Sequence, residues 1–152
     1  MNSCFFIGHR DAPDYLGGLI YEAVVNHIVS FGVCDFTVGH YGNFDRMAAQ
    51  AVITAKRLYP NISLTLLLPY HPSIQPVEIS DGFDGSNYPP GMEGVPLRAA
   101  IARANRYAID HSDCLIVYAR YAASNTWKLL EYAGERARNK QLRITNLAEK
   151  SG

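Results

Sequence analysis

Five short apolar runs alternate along this chain with longer segments of helical periodicity. They are CFFIG from residue 4, CDFTVG from residue 34, ISLTLLLP from residue 62, DCLIVYA from residue 113 and LRITNL from residue 142. The runs are largely apolar instead of alternating with polar positions, which is typical of strands covered on both faces. Strands that alternate with helices favour a parallel sheet between two helical layers. We therefore predict a three-layer α/β, Rossmann-like, doubly wound parallel sheet of about five strands in the order 3-2-1-4-5.

Capping signals give the predicted limits of the helices. Gly32 ends the first helix, because glycine readily takes the left-handed conformation of a helix C-terminus. The third helix is predicted over residues 96 to about 110, and the fourth ends at about residue 139. The positions suited to begin the four helices are Asp14, Asn43, Pro96, and either Ser124 or Asn125.

Composition narrows the class of protein. The chain has 152 residues, of which 48% are hydrophobic, so we predict one domain over residues 1–152. Lys and Arg together number 14, as do Asp and Glu, and this balance disfavours a nucleic-acid or membrane partner. No apolar run approaches the roughly 20 residues of a membrane span, and no signal peptide is evident. Cys4, Cys34 and Cys114 lack metal-ligand spacing, which favours free thiols, and we expect a cytoplasmic protein.

A long segment, residues 69–96, separates the third strand from the third helix. Loops of this length in compact domains are usually functional or disordered. Tyr70, Phe83 and Tyr88 give the segment apolar surface to bury, so we predict an ordered flap over a ligand. An excursion into solvent without a ligand is the alternative.

Parallel α/β sheets bind ligands beyond the carboxyl ends of their strands, so the loop after the first strand is a candidate. Gly8 would let the backbone approach a ligand there, and Arg10 could pair with a phosphate. A glycine turn followed by a surface pair of Arg10 and Asp11 explains the same residues without a ligand.

The loop after the second strand, TVGHYGNFDRM from residue 37, is a second candidate. Gly39 and Gly42 permit a close approach of the backbone, while Asn43 and Asp45 lie at a helix N-terminus. Because a carboxylate repels a bare phosphate, Asp45 would instead contact ribose hydroxyls or a protonated group. A capped helix start without a ligand is the alternative.

The third helix carries Arg98, Asn105 and Arg106 as candidates. The arginines also suit an ordinary solvated face. Asn105 lies near a stripe of alanines, where an amide needs a partner.

The fourth helix begins with Ser124, Asn125 and Thr126, whose N–H groups could hold a phosphate. An ordinary N-cap uses the same residues. Glu131 lies further along this helix and could face either a site or solvent.

Three histidines, His9, His40 and His71, follow three different strands and could converge at one edge of the sheet. No two of them have the short spacing of zinc ligands, and no carboxylates cluster with them in the sequence. We therefore predict no metal and no cofactor.

The set and order of these segments resemble the SLOG superfamily of Rossmann-like domains. That group includes DprA-type DNA-processing proteins, LOG-type cytokinin-activating phosphoribohydrolases and YpsA-like proteins. The resemblance is closest to small, stand-alone, uncharacterised bacterial YpsA-like members, and it covers nearly the whole chain. It rests on a GHR loop, a glycine loop closing on an aspartate, an LPY-like strand end, a YP-x-G-x-E segment and a helix end: Gly8, His9, Arg10, Gly42, Asp45, Leu68, Pro69, Tyr70, Tyr88, Pro89, Gly91, Glu93, Asn105, Tyr107, Ile109, Asp110, Ser112 and Asp113.

The chain departs from the family pattern in two places. The family's arginine before Asn105 is Ala104 here, and the family's glycines after the fourth strand are replaced at Ser124 and Asn125. The LOG-type signature Pro-Gly-Gly-x-Gly-Thr-x-x-Glu is absent, which argues against phosphoribohydrolase activity, although Glu131 lies in the corresponding helix. The resemblance implies ligand binding and a homodimer.

Three functions remain open at this point. The first is a sensor or sequestering module that binds a nucleotide-derived small molecule, such as a nucleotide or an ADP-ribose-like compound. The second is a hydrolase of N-glycosidic bonds, with Asp45, Glu93 and Glu131 as candidate catalytic carboxylates. The third is an interaction protein whose ancestral pocket is closed. The predicted ligand-binding residues are Gly8, His9, Arg10, Gly39, Gly42, Asn43, Asp45, Tyr70, Tyr88, Arg98, Asn105, Arg106, Ser124, Asn125 and Thr126.

Overall fold

A computed structural model describes residues 2–139 and 141–151. Its centre is a six-stranded sheet in which every strand pair is parallel. The strands are β1 (Ser3–Gly8), β2 (Asp35–Val38), β3 (Ser63–Leu67), β4 (Gly85–Asn87), β5 (Cys114–Tyr118) and β6 (Arg143–Asn146). Their spatial order is β4-β3-β2-β1-β5-β6. The α/β class and the order of the five predicted strands are therefore confirmed.

The prediction of about five strands was short by one, because β4 lies inside residues 69–96, hereafter the flap segment. The sequence Gly-Ser-Asn has none of the β-branched or aromatic residues that favour strands. Tertiary contacts place it instead, since it pairs with β3 from Thr65 to Leu67. Asp84, just before β4, fixes the register by accepting hydrogen bonds from Leu64 N–H at 2.8 Å and Lys56 Nζ at 2.7 Å.

Helices cover both faces of the sheet and bury two apolar clusters. The helices are α1 (Gly17–Phe31), α2 (Asn43–Ala55), α3 (Ala100–Asp110), α4 (Asn125–Arg138) and α5 (Ala148–Ser151). The first cluster joins α1 and α2 to the side of β1 that carries Phe6, and the second joins α3 and α4 to the side that carries Phe5. Burial on both faces explains why the strands read as largely apolar. Among the described residues, every helix is too short or too polar to cross a lipid bilayer.

Two predicted helix caps are wrong, because their side chains are used in a contact between neighbouring loops. A 3₁₀ turn over Asp14–Leu16 precedes α1, and α2 has Gly42, not Asn43, as its N-cap. The Asn43 amide instead donates to Ala12 O at 2.6 Å and to Asp14 Oδ1 at 2.8 Å.

The remaining boundaries follow the sequence more closely. Gly32 ends α1 in the left-handed conformation with φ of 67°, as predicted. Pro96 begins a 3₁₀ turn over Leu97–Ala99 that leads into α3. Ser124 caps α4, because its Oγ accepts a hydrogen bond from Trp127 N–H at 3.0 Å.

Candidate functional site

A cavity of about 330 Å³ opens at the carboxyl ends of β1, β2, β3 and β5. Its volume lies at the lower end of the usual range for small-molecule sites, which is about 300–1,000 Å³. Loops after these four strands form its walls, and α3 closes one side through Ile101 and Asn105. This is the edge at which parallel α/β sheets bind ligands.

The cavity brings together most of the residues predicted to bind a ligand. Those that line it are Gly8, His9, Arg10, Gly39, Asp45, Asn105, Ser124, Asn125 and Thr126. Tyr70 lies in an adjoining groove instead. The predicted residues outside both are Gly42, Asn43, Tyr88, Glu93, Arg98, Arg106 and Glu131.

Several of these outlying residues have partners elsewhere. Tyr88 packs edge-on against His71, with ring centroids 5.3 Å apart. The Arg106 guanidinium lies over the Tyr132 ring, 5.6 Å from its centroid. Glu131 is exposed on the outer face of α4, so Asp45 is the one candidate catalytic carboxylate that the described structure places in the cavity.

The glycines of the first two loops are required by packing within the protein. A Cβ at Gly8 would lie 2.1 Å from the buried ring of Phe44. Gly42 has φ of 116°, and a Cβ there would lie 2.5 Å from the Cα of Arg10. The loops after β1 and β2 are thus held against each other, also by a hydrogen bond from Asn43 N–H to Arg10 O at 2.8 Å.

Gly39 makes room for the carboxylate of Asp45. A Cβ at position 39 would lie 2.9 Å from Asp45 Oδ2, which accepts a hydrogen bond from Tyr41 N–H at 3.1 Å. Burial raises the pKa of Asp45 to about 7, against the opposing effects of the Tyr41 N–H and the Arg10 guanidinium. Near neutral pH the carboxyl group can therefore both hold and release a proton.

The start of α4 supplies hydrogen-bond donors to the opposite wall. The hydroxyl of Ser124 has no donor left for a ligand, because it donates to Tyr121 O at 2.7 Å while it accepts from Trp127 N–H. The N–H groups of Asn125 and Thr126 belong to the first turn, where a helix provides no acceptor. No other residue in the described part of the chain accepts from them. Together with the helix dipole, these donors favour an anion.

Asn105 also presents an unpaired amide to the cavity. It lies next to the buried residue Ala104 on α3, and its side-chain amide makes no hydrogen bond with any described residue. A side-chain amide has both donors and an acceptor, which suits the edge of a heterocyclic base.

His9 connects two walls of the cavity. Its Nε2 accepts a hydrogen bond from Arg120 N–H at 2.9 Å, which joins the loop after β1 to the loop after β5. An accepting Nε2 requires the neutral ring with its proton on Nδ1. Burial lowers the pKa of His9, although Asp11 opposes this effect, so the neutral form is favoured.

Replacing His9 by leucine is expected to lower the free energy of unfolding by about 2 kcal/mol, because Arg120 N–H loses its acceptor. His9→Gln is the matched control, since its carbonyl can replace Nε2. With a lowered folded pKa, His9 contributes fully above its ordinary pKa of 6.5 and less as the pH falls through the folded value. Urea unfolding at about pH 7.5 and pH 5.5 tests this. If the free energy of unfolding of both variants depends on pH as it does in the wild type, the dependence belongs to a group other than His9.

The sequence did not single out Tyr41 and Tyr121, which also line the cavity. Tyr41 lies between the two glycines of the loop after β2, and this position could have identified it as a candidate binding residue. Tyr121 contacts the His9 ring with centroids 4.8 Å apart, a contact made between distant parts of the chain.

The three histidines have different surroundings in the structure. His9 accepts from Arg120 N–H, the His40 ring contacts the Tyr41 ring at a tilt of 33°, and His71 accepts from Ser73 N–H. Within residues 2–139 and 141–151, no three His, Cys, Asp or Glu side chains are grouped to hold a metal ion.

Comparisons with known proteins identify the fold. No protein-family model matches the chain, and no curated protein matches it. DNA processing protein A from Helicobacter pylori, studied for its single-stranded DNA binding mode, is 16% identical, with a TM-score of 0.54 over 94% of this chain and 74% of that one. The molybdenum cofactor binding protein from Rippkaea orientalis is 15% identical, with a TM-score of 0.58 over 97% of this chain and 91% of that one. At these identities the likeness shows a shared Rossmann-like α/β fold.

Proposed function

We propose that this chain is a SLOG-type domain that binds a nucleotide-derived small molecule in the cavity, as a sensor or sequestering module. The observation that carries the proposal is the pairing of unlike chemistry on opposite walls. One wall has the unpaired N–H groups of Asn125 and Thr126, and the other has the Asp45 carboxyl group. A phosphate needs the first kind of group, and the hydroxyls of a ribose need the second.

The other lining residues support this assignment. Arg10 adds a positive charge beside the cavity and forms no ion pair with any described carboxylate. Asn105 provides the amide for a base. Phe6, Ile7 and Leu129 give the apolar surface that most ligand sites have.

Similarity to other proteins gives general support. The GHR loop and the glycine loop, two of the segments shared with the SLOG superfamily, both contribute to the cavity. The YP-x-G-x-E segment lies outside it. One structural neighbour is named as a cofactor-binding protein, which is consistent with ligand binding by a chain of this fold.

A second candidate function is hydrolysis of an N-glycosidic bond. Asp45 favours it, because a carboxyl group with a pKa of about 7 suits general acid–base catalysis near neutral pH. Glu93 and Glu131 are exposed and lie outside the cavity, so Asp45 would have to act without them. The third function, an interaction protein with a closed pocket, is disfavoured because the protein's own side chains leave the cavity open.

Native mass spectrometry with AMP, ATP, NAD, ADP-ribose and cyclic ADP-ribose tests the proposal. We expect an intact adduct with at least one of them, and the same spectra report whether the chain is a dimer. Release of free base or ribose phosphate would identify the hydrolase instead. If neither adduct nor product forms across the panel, nucleotide binding is rejected.

A backbone substitution tests the phosphate position directly. Asn125→Pro removes one N–H donor, and proline is well tolerated at the first helical position. Ser124 before it already has the extended conformation that proline requires, with φ of −81° and ψ of 159°. We expect the affinity for the bound nucleotide to fall by about 10-fold, as for a lost charge-assisted hydrogen bond. Asn125→Ala, which keeps the N–H, is the control. Equal loss in both variants would show that the side chain, not the backbone, makes the contact.

A further inference from the structure

A shallow surface depression, the outer groove, adjoins the site. It has a volume of about 480 Å³ and shares Arg10, Tyr41 and Ile101 with the inner cavity. Its remaining wall comes from Tyr70, Ile74, Gln75 and Leu97. The two spaces are therefore adjacent, with Arg10, Tyr41 and Ile101 at their boundary.

The outer groove has exposed apolar side chains, and hydrogen bonds to the backbone fix the positions of the residues that carry them. Ile74 is 62% exposed and Leu97 is 57% exposed, and both line the groove. Tyr70 Oη donates to Leu97 O at 3.1 Å, and Ile74 N–H donates to His71 O at 2.8 Å. These bonds hold the wall of the groove without covering it. A flat apolar group lying there would remove this surface from water, which is favourable.

The boundary between the two spaces suits an anion. The Arg10 guanidinium lies 5.7 Å from the centroid of the Tyr41 ring and is exposed. It has no carboxylate within ion-pair distance among the described residues. A bridging phosphate at this point would pair with the Arg10 guanidinium, whose donors match phosphate oxygens.

We infer that the site takes a two-part ligand, a nucleotide joined through a diphosphate to a second planar ring, with that ring in the outer groove. The inference rests on the proposed nucleotide site and extends it. The inner cavity holds the nucleoside, the diphosphate passes Arg10, and Tyr41 lies between the two parts. A mononucleotide would leave the outer groove open to solvent.

Isothermal titration calorimetry with three probes separates the contributions of the two parts of the ligand to the binding affinity. AMP tests the inner cavity, ADP-ribose adds a second phosphate and a ribose, and diadenosine diphosphate adds a neutral planar ring to that. We expect diadenosine diphosphate to bind about 10-fold more tightly than ADP-ribose, as expected for one buried aromatic ring. Leu97→Ser and Ile74→Ser should abolish this difference and leave the affinity for AMP unchanged.

Ile79→Ser is the matched control, because Ile79 is also an exposed aliphatic residue of the flap segment but does not line the groove. It should change none of the three affinities. If the second adenine adds no affinity, or if Leu97→Ser weakens AMP as much as diadenosine diphosphate, the two-part ligand is rejected and the nucleotide site stands. If AMP, ADP-ribose and diadenosine diphosphate all fail to bind, the nucleotide site is rejected as well.

Discussion

Asp45→Asn is expected to weaken ADP-ribose binding by roughly 30-fold at about pH 8, the loss typical of hydrogen bonds to a charged acceptor. Asparagine keeps one oxygen for Tyr41 N–H, so the loop after β2 should retain its conformation. It lacks the second acceptor and the negative charge that would hold the two hydroxyls of a ribose. The effect is large because the carboxylate lies in the cavity and is shielded from water on most sides.

The same substitution should remove a pH dependence of binding. The wild-type carboxyl group has a pKa of about 7, so its ionised form, and with it the affinity, should increase between about pH 6.5 and pH 8.5. ADP-ribose is the suitable probe because its diphosphate has no free phosphomonoester, whose second pKa of about 6 would overlap. Titration calorimetry across this range should show a rising affinity in the wild type and a flat one in Asp45→Asn. A slope that persists in the variant would assign the titration to another group.

The stability of the wild-type protein should decrease over the pH range in which its affinity increases. A carboxyl group whose folded pKa is raised from 3.8 to about 7 favours folding below the lower value and loses that contribution as the pH rises through the higher one. This difference is worth roughly 4 kcal/mol, and solvent in the cavity reduces it to about 2 kcal/mol. Asp45→Asn should therefore be more stable than the wild type at about pH 8 and equally stable at about pH 4. Asp81→Asn, an exposed aspartate of the flap segment, is the control.

Gly8→Ala is expected to lower the free energy of unfolding by about 3 kcal/mol, the upper end of the usual cost of overpacking. The added methyl group would lie 2.1 Å from the ring of Phe44, which is fully buried between α2 and the sheet and cannot move into solvent. Gly94→Ala is the control, because a Cβ there would meet nothing within 4 Å. Urea denaturation of both variants measures the difference.

A double substitution identifies the cause of that loss. Phe44→Leu shortens the side chain and frees space above position 8. If the methyl group and the ring collide, Gly8→Ala should cost clearly less in the Phe44→Leu background than in the wild type. Additive losses would mean that alanine acts through the backbone of the loop and not through Phe44.

The fold was predictable because its strands are buried on two faces. Apolar runs without alternation have few other solutions, and helical segments between them favour a parallel order. The predictions that failed depend on contacts between distant segments. Asp14 and Asn43 are residue types that favour helix caps, yet their side chains form a hydrogen bond with each other across two loops. Strand β4 has no local signal at all and is placed by β3 and Asp84.

The candidate site was predictable to the extent that topology alone brings residues together. Loops after parallel strands meet at one edge, which accounts for Arg10, Asp45 and Asn125 in one cavity. The direction in which a helical residue faces is harder to predict from a sequence. Glu131 precedes the buried Ala133 by two positions, and two positions on a helix are separated by roughly 200°, so Glu131 faces away from the core. The path of the flap segment likewise placed Tyr88 outside the cavity.

The packing of Gly8 against Phe44 and of Gly42 against Arg10 affects how this chain should be compared with its relatives. Both glycines are needed whether or not a ligand is present, so selection for a stable fold would retain them after a binding function had been lost. A search that uses these glycines would therefore group proteins by ancestry and not by chemistry. Under the proposed function, Asn105 and Asp45 are better markers of ligand binding, because the described structure gives the Asn105 side-chain amide no partner and burying the Asp45 carboxylate is costly.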